Sequence, residues 1–585
     1  MRRLNKVSGE VFAGFLLTLM AMLSPAGSAA ACARPTPGDP RVVNGQTLTS
    51  VATSQPIVLS ALRMGLQPAS QSGAASDAET QSREHWERGY SLASSGNLEE
   101  AAVELRRAVD LAPGNPQYVY TLGIVLAKQG KLEEAVGYFR RASKLEPANM
   151  AVRQNLAAAE WQVGNLLDAE RNLQAILKLK PNDQDASFLL GMVLENKGEY
   201  AKAAKLLAGE QDQLRQHPEA VAALLHSYYE TSKPAEAHDL EDRLLKDPTQ
   251  TQALFMGASM AEQAGDYSSA ERMLKAVRDS YPSTGEVDYQ LAVLRYRTGH
   301  YSEAEEILTR LANQSGETSK VFNLIGWCLA KQGKIQEAVK VFDRAIGLDP
   351  TKDSNYVDLA TVLLDAGLLA PALEAANKAV EIDPHSLAAY RIRGQIQMRQ
   401  HDYTAAVNSY TKAVEVMPNR GVAPEMDAAA QRALNEAIPA TLLDLAEAQG
   451  ASGQYENASA TLEAAIKKYP RQAQFYYQYA LIVLHHGDSN EATDHAKAAA
   501  LLQKALTLDD SIAGAHYELG NLWLEQDQPA KALAELQRAA KLDPSRADTH
   551  YALWLVSRKL GRTQDAADEA QIFQKLKPLN SDTPH

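Results

Sequence analysis

The sequence predicts an all-α chain, a solenoid of about fourteen stacked helix pairs, and three observations predict it. First, alanine returns at a fixed interval. Ala101, Ala135, Ala169, Ala203 and Ala237 stand 34 residues apart, Ala270 follows at 33, and Ala304, Ala338, Ala372 and Ala406 at 34 again. After a 52-residue step comes Ala458, then Ala492 at 34, Ala532 at 40 and Ala566 at 34. Second, glycine stands five residues before the alanine in eleven of fourteen units, replaced by Ser232, His401 and Asp527 in the others. Third, proline closes most units, as at Pro113, Pro147, Pro181, Pro350 and Pro544. A fixed period of this length marks a repeat in which each unit is one supersecondary element.

The columns define the unit. About fourteen residues of a first helix, helix A, end at the glycine, which accepts the left-handed backbone that strains other residues. About fourteen residues of helix B follow and carry the alanine. Proline, lacking an amide donor, stops one unit and starts the next. Twelve residues before the alanine a further column is small (Gly89, Gly123, Ala157, Gly191 and onward), with Leu225 and Trp554 its only large members. Small residues on both helices let them approach closely. One pair has too little core alone, so pairs stack and share it.

In chain order, residues 1–31 read as a secretory signal: basic Arg2, Arg3 and Lys6, the apolar stretch Val11–Leu23, Pro25, then the small run Ala26–Ala31. Thirteen residues of helix reach about 20 Å, short of the roughly 30 Å hydrocarbon core. Cleavage is expected between about Ser28 and Ala33. An uncleaved membrane anchor is one alternative, and Cys32 directly after the run leaves a lipid anchor as another, although Ala29 stands where lipoprotein signals usually carry Leu. Residues 32–81 are rich in Pro, Gly, Ser, Thr and Ala and read as a linker holding one apolar island, Ile57–Leu66, that is able to dock. Repeats 1–10 occupy 82–418. An insert covers 419–438, with Pro424-Glu425-Met426-Asp427 and an Ala-rich stretch to Ala437, and reads as a lengthened helix or surface excursion or, alternatively, as a hinge or contact element. Repeats 11–14 occupy 439–578, with six extra residues expected after Ala492 in helix B of repeat 12, and 579–585 form a tail.

"TLGIVLAKQGKLEEAVGYFRRASKLEP" (Thr121–Pro147) and "LIGWCLAKQGKIQEAVKVFDRAIGLDP" (Leu324–Pro350) resemble the tetratricopeptide repeat at its Leu-Gly, Gly, Glu-Ala, Phe, Ala and Pro positions. The resemblance runs over residues 82–578. It implies a right-handed superhelix whose concave groove, lined by helix A, holds a peptide or partner helix, with helix A positions 2, 5, 9, 12 and 13 facing inward. Position 5 is aromatic in eight of fourteen repeats, among them Trp86, Tyr120, Phe188, Tyr477 and Tyr517. Aromatics suit either stacking between repeats or anchoring a partner. The clamp some members use for a terminal carboxylate is absent from repeats 1–3, where Trp86, Tyr90, Thr121, Ala151 and Asn155 stand instead.

Repeats 7–10 place an unusual set on those positions: Tyr289, Asn323 and Arg391 at position 5, Trp327 and Gln395 at 9, and Arg297, Lys331 and Arg399 at 13, with Asp365 interrupting the basic row. In a chain of net charge −13, a row of cations reads as a candidate groove for protein or peptide segments. Trp327 and Tyr289 are expected to grip an apolar side chain while Arg297, Lys331, Arg391 and Arg399 receive carboxylates, since arginine binds them bidentately.

The acidic balance disfavours nucleic acid as a partner. Two cysteines exclude a disulfide scaffold or a Cys-rich metal module. No phosphate-binding glycine loop and no His-Glu-x-x-His occur. His485, His486 and His495 with Asp488, Glu491 and Asp494 straddle a helix turn and read as solvated, and Cys328 reads as inert core. No cofactor, no metal and no catalysis are expected. The expected function is a non-catalytic, exported binding scaffold, periplasmic or secreted. The rivals are an envelope-assembly or polysaccharide-export factor, and an enzyme accessory or hidden hydrolase.

Overall fold

A computed structural model describes residues 77–209, 211–247, 249–416, 428–486 and 491–576. The expected signal, Cys32, the tail and residues 32–76 of the expected linker lie outside the described residues; residues 77–81, also expected as linker, belong instead to the first helix, Asp77–Ser94. Among those described, 29 helices follow one another and no strand occurs, so the α-solenoid expectation holds. None of the described helices is long and apolar enough to cross a membrane.

Repeat 2 shows how the unit forms. Helix A (Pro116–Lys128) opens on Asn115, whose side chain accepts from the amides of Gln117 and Tyr118. It closes at Gly130 (φ 78°), where the amide of Lys131 reaches the Leu126 carbonyl at 3.0 Å and that of Gly130 reaches Ala127. This satisfies carbonyls the helix end leaves free and turns the chain into helix B (Leu132–Leu145). The three substitutes in the glycine column adopt the same backbone: Ser232, His401 and Asp527 have φ of 54°, 62° and 54°. At the other end of the unit, helix A position 4 bonds the carbonyl of the preceding proline, as with Arg153 Nε on Pro147 (2.8 Å) and Tyr476 OH on Pro470 (3.0 Å).

The small column works by size matching across the helix pair. A Cβ on Gly326 would lie 2.8 Å from the Phe342 ring, and one on Gly394 would lie 2.7 Å from Tyr410. Where the column carries Ala157 or Ala292, the facing residue is Leu173 or Leu308, all fully or almost fully buried. Leu225 breaks the pattern and the structure shows how. Its own repeat places Glu241 where most others place Leu, Phe or Tyr, and the next repeat offers Gly257, whose added Cβ would lie 2.8 Å from Leu225. Glu241 is 1% exposed and accepts from Tyr229 OH at 2.6 Å. Helix B of repeat 5 (Pro234–Leu245) consequently packs thinly on its own helix A (Pro218–Glu230), which leans on repeat 6 instead.

Two expectations about helix B need correction. Helix B of repeat 4 is broken into Tyr200–Leu207 and Gln211–Gln216, with Gly209 following the first piece. The six extra residues of repeat 12 lie ahead of the buried alanine. Ala498, Leu502 and Ala505 are fully buried with the spacing of Ala532, Leu536 and Ala539, so Ala498 takes the column and the Glu491–Leu508 helix starts early. The 419–438 insert agrees with its lengthened-helix reading: from Ala428 it runs without a break into helix A of repeat 11 as one helix, Ala428–Ala451, with Pro439 inside it, and residues 419–427 lie outside those described.

Candidate partner-binding face

The eight expected groove residues all sit on helix A of repeats 7, 8 and 10: Thr284–Arg297, Ser319–Lys331 and Leu387–Arg399. They divide into two groups. Five are spent on the fold. Trp327 is fully buried, edge-on to Phe342 with ring centroids 6.1 Å apart, so it cannot grip a partner's side chain. Tyr289 is buried, and Lys320 Nζ stands 3.9 Å over its ring. Arg297, 9% exposed, holds its Nε 3.0 Å from the carboxylate of Glu262 in repeat 6. Burial raises the Glu262 pKa and the Arg297 charge opposes the rise. Arg391 Nε donates to Asp444 in repeat 11 at 2.8 Å. Asn323 Nδ2 donates to Asp358 in repeat 9 at 2.7 Å.

The last two bonds follow a rule seen at four joints of the array: position 5 of one repeat hydrogen-bonds position 6 of the next. Trp86 Nε1 donates to Thr121 Oγ1 at 3.1 Å, and Asn155 Nδ2 donates to Tyr120 OH at 2.6 Å. The rule explains why Asp358, 2% exposed, sits inside the stack. Burial pushes its carboxyl up to about 8, with the Asn323 bond and the Lys352 charge pulling the other way. Sequence reasoning missed position 6. Its signal was present, since the partners are 35 residues apart in three of the four pairs.

Three residues remain open. Lys331 and Arg399 are exposed, and Gln395 is half-buried. Neither cation has an ion pair within 4.0 Å among the described residues, although both charges reach exposed Asp365 between them, and Lys331 Nζ stands 5.8 Å from the Trp327 ring. Lys320, exposed at position 2 of repeat 8, adds a cation that the position-13 row had not included. Cys328 is fully buried, and burial pushes its thiol up to about 12, so it is no nucleophile. No group of three or more His, Cys, Asp or Glu able to hold a metal occurs among the described residues. The side chains of His485 and His486 lie outside them.

A stacked array of helix pairs with a polar row on one helix of each pair defines a repeat scaffold. Profiles of the tetratricopeptide repeat match residues 86–149, 155–220, 261–328, 329–396, 443–493 and 513–546, more than half of the chain. The chain belongs to the tetratricopeptide repeat family. No curated protein matches it. Among solved structures it is similar to yeast Tom70 (16% identity, 86% of this chain and 100% of that one, TM-score 0.38). It is also similar to Naa15/Naa10 bound to HypK-THB (14%, 85% and 94%, 0.36). A third is YrrB, described as a TPR protein with an unusual peptide-binding site (19%, 37% and 98%, 0.27).

Proposed function

We propose that the protein is a non-catalytic scaffold, exported to the cell envelope or beyond, that binds protein segments along the helix A face of repeats 7–10. The observation that carries this reading is the pair Lys331 and Arg399, exposed in one column of an acidic chain and left without a carboxylate within 4.0 Å among the described residues. Together with Lys320 and Gln395 they suit an acidic, extended segment, for which charge complementarity supplies on-rate and register. Arg297, Arg391, Asn323, Tyr289 and Trp327 support that face from below by fixing the helices that carry it. Export rests on the residue order up to Ala31.

The test is a photo-crosslinking amino acid placed at Gln395 and, separately, at Glu337 on helix B. A native partner captured from position 395 and not from 337, and lost on Lys331→Glu with Arg399→Glu, supports the reading. Capture unaffected by both reversals places the site elsewhere on the array.

A further inference from the structure

The first three repeats carry most of the exposed large apolar side chains among the described residues. Of nine exposed large apolar side chains among the described residues, six lie there: Val103, Leu111, Leu145, Met150, Leu167 and Leu179. Leu111, Leu145 and Leu179 occupy one repeat position, the close of helix B, so the stacking aligns them in a row. They are 40%, 41% and 67% exposed. At the same position repeats 4 to 7 carry Gln213, Asp247, Ser280 and Gln314, which end the row; the position turns apolar again from exposed Leu348 of repeat 8, followed by half-buried Ile382 and Val416. A contiguous apolar row calls for a covering partner more than scattered leucines do.

We propose that this row is the docking surface for the chain's own residues 57–66. That segment, Ile-Val-Leu-Ser-Ala-Leu-Arg-Met-Gly-Leu, is the one apolar run between the expected signal and the first helix. Two features of chain geometry favour it over a foreign partner. Helix A of repeat 1 (Asp77–Ser94) pairs antiparallel with helix B (Leu98–Leu111), so the chain enters at the end of the unit where Leu111 lies. Ten residues then separate Leu66 from Asp77, and they span at most about 35 Å, several times the roughly 8–10 Å between neighbouring packed helices and so enough to reach the row beside the first helix pair. Charge agrees as well: Arg63 is the segment's single charged residue, and exposed Asp110 stands beside Leu111. Tethering makes the contact intramolecular, which raises its effective concentration to the millimolar range.

The test uses the full chain with Cys32→Ser, retaining buried Cys328. Leu62→Cys is combined with Leu145→Cys in one variant and with Leu348→Cys in another, and crosslinking by a short bismaleimide is followed on the monomer fraction. Docking predicts that the 62–145 link forms on the order of tenfold faster or more than the 62–348 link. Equal rates, or links that join two chains in place of one, overturn the proposal. Hydrogen exchange checks the same point without new cysteines. Leu145→Asp should deprotect residues 57–66 and Leu348→Asp should leave them unchanged, and equal exchange in the two variants would also overturn it.

Discussion

Asp358 is a carboxylic acid where the fold needs a hydrogen-bond acceptor. Its ordinary pKa is 3.8 and burial lifts it to about 8, so the folded chain keeps the proton that the unfolded chain releases. The sign follows: the associated stability is complete below about pH 4 and is lost as pH rises through about 8, with a slope of up to about 1.4 kcal/mol per pH unit from this one group. Asp358→Asn retains an acceptor for Asn323 and removes the titration. Thermal melts of the variant and wild type should diverge between pH 4.5 and 8.5, with the variant the more stable at the alkaline end. Parallel curves would show that Asp358 is ionised in the fold.

At the scale of the helix pair, packing is a matter of paired sizes, and the pairs themselves suggest the experiment. Gly326→Ala should overpack against Phe342 and destabilise by roughly 1–3 kcal/mol, and Phe342→Leu in the same chain should restore much of the loss, because Ala157 with Leu173 and Ala292 with Leu308 are pairs the array already uses. Additive losses in denaturant titrations would mean the two positions do not share a contact. Ala338→Leu in the fully buried alanine column carries a similar cost. Hydrogen exchange should then loosen residues 320–350 before the ends of the array, since repeats couple to their neighbours. The units were legible in the sequence because alanine, glycine and proline act locally and recur. The breaks were less so. Whether Ala492 or Ala498 takes the column depends on which one meets the core, and the period supplies both. Similarly, the 34-residue step from Ala203 to Ala237 passes over the broken helix after Leu207 without a sign. The candidate face was legible only as composition. Cations could be counted at positions 5 and 13, but whether each faces a carboxylate depends on a neighbouring repeat, on Asp444 for Arg391 and on Glu262 for Arg297.

Across the whole molecule, charge separates residues that hold the array together from those left to meet something else. Arg297 and Arg391 are ion-paired between repeats, whereas among the described residues Lys331 and Arg399 are not. Reversing the first pair should lower the melting temperature. Reversing the second should leave melting nearly unchanged while slowing association with a captured acidic partner and flattening its salt dependence. If Lys331→Glu with Arg399→Glu unfolds the chain as readily as Arg391→Glu, the division drawn here fails.

The substitution at Leu225 has a mechanical consequence. Most repeats are zipped together by a large side chain set into a small one, so a load applied along the array is shared by similar joints. Repeat 5 exchanges that joint for a bulky leucine facing away from its own partner and a carboxylate held by a tyrosine. Under tension this is where the spring yields first, peeling the Pro234–Leu245 helix away while the stack on either side stays wound.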